Sequence, residues 1–123
     1  YHAALVMASN YTVTLYALSE RLLTGLGAER EAVDAALDAL MSATLENIRT
    51  QRIPTALTGP LTRADTGTLK THIDALRQVD PALVDLYSQL ARQTYPLLLE
   101  RGGDVVQIDT FLQQEIAYAS DNT

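Results

Sequence analysis

The sequence has no cysteine, few basic side chains and little glycine or proline, and each scarcity removes a class of protein. Without a Cys in 123 residues there is no disulfide framework, no thiolate nucleophile and no cysteine zinc site, so cysteine usage lends no support to secretion. A cytoplasmic setting is the default expectation. Nine Lys and Arg against fifteen Asp and Glu leave a net charge of -6, which repels phosphate backbones and anionic lipid surfaces. Neither nucleic acid nor a membrane is an expected partner. Six Gly and four Pro, in a chain that is 47% hydrophobic and 20% charged, exclude collagen-like, low-complexity and disordered polymers. What remains is a globular piece of single-domain size, one α-helical domain over residues 1–123.

Formal charge is also missing from residues 1–19, which invites a membrane reading. That stretch holds His2, Ser9, Asn10, Thr12, Thr14 and Ser19, all of which a bilayer span would have to satisfy in hydrocarbon. It also lacks the basic start and small-residue cleavage site of a signal peptide. A buried central helix is the expected explanation. The chain opens on Tyr1 and His2 with a helical pattern already under way and no capping residue before it, so a preceding segment is expected.

Residues 3–23 carry Leu5, Val6, Leu15, Leu18, Leu22 and Leu23 in helical spacing and are apolar on nearly every side, with Gly25 and Gly27 marking the end. Residues 29–52 form an amphipathic pattern through Val33, Ala36, Leu37, Leu40, Met41, Leu45 and Ile48. Prolines 54 and 60 with Gly59 then predict a short turn of helix followed by an irregular loop. A shorter helix is predicted from Asp65 or Thr66 to Val79, with Leu69, Ile73 and Leu76 on one face. Asp80-Pro81 reads as an N-cap followed by proline at the first helical position. It opens a long helix with Leu83, Leu86, Tyr87, Leu90, Leu97 and Leu98 inward, kinked or ended early by Pro96 and terminated by Gly102 and Gly103. A last helix from about Asp109 to Ala119 should pack Phe111, Leu112 and Ile116, with residues 104–108 briefly extended. The fold class is all-α.

Some motifs imitate chemistry. Gly25-Leu26-Gly27-Ala28-Glu29-Arg30 begins like a dinucleotide fingerprint, but it follows a helix and ends on Arg, so it reads as a helix–helix connection. The sequon Asn10-Tyr11-Thr12 lies inside the most apolar helix of a chain without a secretion signal. His2 and His72 lie far apart without ligand-spaced neighbours, so no metal site is expected. A hydrolase triad of Ser9, His2 and Asp65 lacks the strand-to-helix elbow that would carry the serine.

Two features are harder to dismiss. At about 100° per residue, His2 and Ser9 fall within about 20° of each other on one helical face, with Asn10 beside them. Polar groups on a buried helix need partners, either in the protein or in a ligand, since each unsatisfied one costs about 1–3 kcal/mol. The loop at residues 58–65 is the second. Gly59 permits close backbone approach, Arg63 offers a fork of donors to a carboxylate or phosphate, and the helix start near Asp65 presents free N–H groups. The plainer alternative pairs Arg63 with Asp65 on a solvated turn. His72 shares a face with Leu69 and Leu76 and reads as a partly buried helix histidine.

Taken together, Tyr1-His2-Ala3-Ala4-Leu5-Val6-Met7-Ala8-Ser9-Asn10-Tyr11, Thr44-Leu45-Glu46-Asn47, Leu57-Thr58-Gly59-Pro60-Leu61-Thr62-Arg63-Ala64-Asp65 and His72 resemble the C-terminal DUF2520 domain. In that family the domain follows an N-terminal Rossmann domain in NADP-dependent oxidoreductases. The resemblance implies a multi-helical bundle like the C-terminal domain of 6-phosphogluconate dehydrogenase, built around a buried first helix. In such relatives, which include ketopantoate and pyrroline-5-carboxylate reductases, the helical half mediates dimerisation and closes the substrate cleft over the nicotinamide. A homodimer and a small-molecule substrate are the implied partners.

Carried over by residue, the resemblance puts His2, Ser9 and Asn10 on the cleft-facing side of the first helix, with His2 the candidate general acid. It puts Gly59, Pro60, Arg63, Asp65 and His72 among the substrate-binding residues. The sequence departs from the family pattern in Ala64, where glycine is frequent, and in Pro96. It also carries no strand, glycine turn and helix in succession. NADP is therefore expected to be bound mainly by an N-terminal Rossmann domain outside this chain, and the chain alone is expected to be inactive. The rival expectation is a non-catalytic helical dimerisation or interaction module.

Overall fold

Side-chain caps and glycines set several of the helix boundaries. A computed structural model describes residues 1–121. Its helices are α1 (His2–Ala8), α2 (Asn10–Gly25), α3 (Arg30–Gln51), α4 (Thr66–Val79), α5 (Pro81–Glu100) and α6 (Val106–Asp121), with a 3-10 turn at Pro60–Arg63. The fold is all-α among the described residues. No helix is long and apolar enough to cross a membrane. The chain divides into two compact units, Tyr1–Thr50 and the remainder from Gln51.

In the first unit, the single helix expected over residues 3–23 is two helices, interrupted at Ser9. The ladder leaves α1 with Ser9 N–H donating to the Leu5 carbonyl at 2.9 Å and resumes with Val13 N–H donating to the Ser9 carbonyl at 3.3 Å. Between them the Thr12 hydroxyl donates to the Ala8 carbonyl at 2.8 Å. Thr14, Ser19 and Thr24 make the same kind of bond further along α2, where the helix continues, so the bond accompanies the interruption without being sufficient for it. The β-branched run Thr12-Val13-Thr14 adds little helix propensity near the break.

The glycine reading holds at the end of α2. Gly27, at φ 90°, donates to the Thr24 carbonyl, and Ala28 N–H reaches back to Leu23. This is the Schellman pattern, in which a left-handed residue satisfies the last free carbonyls. Tyr16 Oη then donates to Asp34 Oδ1 at 3.2 Å, and Arg30 pairs with Glu20 at 2.6 Å, tying α2 to α3.

The expectation of a buried first helix is corrected by this structure. Neither α1 nor α2 has a buried residue, and Leu5, Met7, Tyr11 and Val13 are 48%, 66%, 55% and 68% exposed. Only Val33 and Leu37 are buried on α3, where Leu40, Leu45 and Ile48 are exposed as well. Three helices with so little buried between them cannot enclose a helix that is apolar all round. Its composition records a surface that the other helices of its own unit leave uncovered.

From Gln51 onward the core is conventional. Leu69 and Ile73 of α4, Val84, Ala91 and Leu98 of α5, and Ile108 and Leu112 of α6 form one buried cluster, edged by Leu57, Leu61, Ala64 and Tyr87. Asp80 caps α5 as predicted, accepting from Ala82 N–H at 3.0 Å with Pro81 in the first turn. The inward stripe of α5 differs from expectation. It runs through Leu83, Val84, Ser88, Ala91 and Leu98, while Leu86 and Leu90 are exposed. Small residues at positions 88 and 91 suit a face on which α4 packs against α5.

Pro96 neither ends α5 nor shortens it; the helix continues to Glu100 with Pro96 on its exposed side. Gly102, at φ 78°, and Gly103 close it by a second Schellman pattern, Gly103 N–H donating to the Leu98 carbonyl at 2.9 Å. The final helix starts earlier than predicted, because Asp104 Oδ1 accepts from Val106 N–H at 2.8 Å and makes residues 106–108 helical rather than extended. Tyr95 Oη donates to Asp109 at 3.0 Å and fastens α5 to α6; burial, with that carboxylate beside it, pushes the tyrosine hydroxyl up to about 12.

Candidate functional site

The loop before α4 is shaped by two unusual backbone positions. Gly59 lies at φ 95° and ψ -175°, a region essentially reserved for glycine. A Cβ there would meet nothing within 4 Å, so the dihedral angle and not crowding inside the protein demands glycine. Gly59→Ala is accordingly expected to destabilise the chain by about 1–3 kcal/mol, seen as a lower urea midpoint with an unchanged slope.

Gly59 launches the 3-10 turn, whose Thr62 hydroxyl donates to the Gly59 carbonyl at 2.6 Å. The turn closes at Ala64, which is left-handed at φ 50° and ψ 39°. A glycine there would fit that conformation with less strain than alanine.

Asp65 ends the loop and caps α4. Its Oδ1 accepts from Thr68 N–H at 3.0 Å and its Oδ2 from the Thr68 hydroxyl at 2.8 Å. These two bonds hold its carboxyl below the ordinary 3.8, with smaller help from the charges of Arg63 and His72. A carboxyl depressed on folding contributes stability that is fully present above its unfolded value and is lost as pH falls through the folded one. Thermal melting should therefore weaken as pH drops below 3.8, and Asp65→Asn, which keeps an acceptor, should flatten that part of the profile.

The free N–H groups expected at this helix start are thus partly claimed by Asp65 itself. Arg63 is exposed and makes no hydrogen bond or ion pair among the described residues, with Asp65 or with any other group.

His72 lies two turns into α4. Its Nδ1 shares a hydrogen bond with Tyr87 Oη at 3.0 Å, the rings meeting edge to face with centroids 6.0 Å apart. Burial raises the Tyr87 hydroxyl above its ordinary value. Both side chains line an open, mainly apolar cleft of about 310 Å³ together with Thr58, Pro60, Leu90 and Thr94. The structure thus brings Pro60 and His72 to one cleft and adds Tyr87, whose role in it the sequence did not suggest. Tyr87 stood in an apolar stripe, and only its hydroxyl, fifteen residues from a histidine, hinted at a polar partner.

His2, Ser9 and Asn10 belong to the first unit, apart in the chain from the loop residues. All three are exposed, and none of their side chains makes a hydrogen bond among the described residues. Ser9 and Asn10 sit at the interruption between α1 and α2. Core hydrogen bonding therefore does not account for them. Among the described residues no three His, Asp or Glu side chains gather to hold a metal.

Comparison with known families gives the chain its place. Residues 1–94 match the family described as Domain of unknown function (DUF2520), and the chain belongs to it. The match takes in every residue discussed in this section. No curated protein and no solved structure matched the chain.

Proposed function

We propose that this DUF2520 chain is the substrate-binding and dimerisation domain of an NADP-dependent oxidoreductase, acting with a Rossmann domain that carries the cofactor. The observation that carries the reading is the set of uncommitted polar side chains His2, Ser9 and Asn10 on helices whose apolar faces are themselves uncovered. Such groups are available to a ligand and such faces to a partner.

The described residues do not fit the dinucleotide. Gly25 and Gly27 close a helix by the Schellman pattern instead of turning from a strand around a phosphate. NADP therefore belongs, in this reading, to the other domain. His2 donates a proton to the substrate, Ser9 and Asn10 orient a substrate carbonyl or imine, and Arg63 holds a substrate anion. Gly59, Pro60, Asp65 and His72 shape the substrate side of the loop. The protein works in the cytoplasm as a homodimer, with a second copy covering Leu5, Met7, Tyr11 and Val13.

Sedimentation of the chain tests the last point. A dimer at micromolar concentration is expected, converted to monomer by Val13→Asp; a wild-type monomer would remove the dimerisation half of the reading. A non-catalytic interaction module is the second reading, favoured by the same exposed apolar faces if the polar residues prove dispensable.

A further inference from the structure

In a chain of net charge -6, cations are expected to find carboxylates, and most do. Arg30 pairs with Glu20, Arg49 with Glu46, Arg77 with Asp74 and Glu115, Arg92 with Asp109, and Lys70 with Asp74. Arg63 and Arg101 do not, and they line the same open cleft of about 370 Å³, together with Ala64, Gly103, Asp104 and Gln107. Arg52, which also lacks a carboxylate, is not part of that lining.

Arg101 is fixed in place by one arm. Its Nη1 donates to the Leu57 carbonyl at 2.6 Å, and among the described residues Nη2 and Nε have no acceptor. The guanidinium of Arg63 makes no hydrogen bond or ion pair among the described residues, although its charge acts on Asp65. Asp104, the carboxylate in the lining, spends Oδ1 on Val106 N–H at 2.8 Å and forms no ion pair with either arginine. Arg63 is held at the cleft by the turn that closes through left-handed Ala64, a backbone cost of the kind that collects at binding sites. Gln107 contributes a neutral amide donor in the first turn of α6.

We infer that this cleft binds an oxyanion, the phosphoryl or carboxylate group of a small molecule, between the guanidinium forks of Arg63 and Arg101. Planar forks match such groups with two parallel hydrogen bonds, and an acidic protein repels anions everywhere else. The inference deepens the reading of Arg63 as a substrate anchor and rests on it. Binding of a bare anion is measured without turnover, however, so failure here leaves the oxidoreductase assignment to its own test.

The experiment titrates the isotope-labelled chain with inorganic phosphate and, separately, with malonate, following backbone amide and arginine Nε–H resonances at neutral pH. Sodium chloride at matched ionic strength is the control. Saturable shifts at Gly103, Gln107 and the two arginines are expected, and the anion saturating at lower concentration identifies the phosphoryl or carboxylate class. Arg63→Gln should weaken binding about tenfold, and Arg63→Lys should restore part of it. Arg63 makes no hydrogen bond or ion pair among the described residues, so its replacement is expected to leave the fold intact; Arg101→Gln, which also loses the Leu57 bond, serves as the second variant. Shifts that fail to saturate, that chloride reproduces, or that persist unchanged in Arg63→Gln would overturn the site.

Discussion

Replacing Leu69 by alanine is expected to lower the stability of the chain by about 2–5 kcal/mol. Leu69 is 0% exposed and lies in one cluster with Ile73, Val84, Ala91, Leu98, Ile108 and Leu112, so it is surrounded by α5 and α6 as well as its own helix. Removing its isobutyl group forfeits the transfer free energy and leaves a cavity that three helices cannot all collapse to fill. Leu86, at 38% exposure, supplies the internal control, and its alanine variant should cost less than about 1 kcal/mol. Urea unfolding reads both, as midpoint shifts at unchanged slope. Equal losses at the two positions would mean that the inward stripe of α5 and the core around α4 are wrongly placed. The outcome bears on function too, since α4 carries the Asp65 cap and His72.

How much of this was legible in the sequence follows from how local each cause is. The starts of α4 and α5 were legible because Asp65 and Asp80 cap their own helices within three residues, and the ends of α2 and α5 because their glycines adopt positive φ there. The break at Ser9 was not, because the apolar helical spacing runs through residues 3–23 with no glycine or proline to mark an interruption.

The exposure of α1 and α2 was hidden for a different reason. Periodicity says that a face is apolar, and what covers it is decided by tertiary or quaternary partners. On α5, Ser88 and Ala91 count as neutral in any hydrophobic pattern, so the leucines at 86 and 90 drew the stripe to the wrong side. At the loop, Gly59 and Arg63 could be singled out, but Arg101 is separated from Leu57 by forty-four residues and only folding joins them.

The second large effect concerns His2. In the role proposed above, His2→Ala is expected to lower kcat/KM of the intact protein by about 10²–10⁴-fold, the usual contribution of a positioned general acid. Because a proton donor acts in the transition state, the loss should fall mainly on kcat, whereas Ser9→Ala and Asn10→Ala, which remove orienting hydrogen bonds, should raise KM as well. His2 is exposed and carries no internal hydrogen bond, so its truncation leaves the fold unchanged and the kinetic effect is not a stability effect in disguise. A variant with wild-type kcat would assign the proton to another group and leave His2 as part of a surface only.

The role proposed for this DUF2520 domain is tested most directly by titrating the intact protein that carries it with NADPH and following nicotinamide fluorescence. Saturable binding is expected to the intact protein, with none to residues 1–123 alone, because in the proposed role the helical chain supplies substrate contacts and a Rossmann domain supplies the dinucleotide turn. An intact protein that leaves the nicotinamide signal unchanged at saturating NADPH would contradict the oxidoreductase role and leave the helical interaction module in its place.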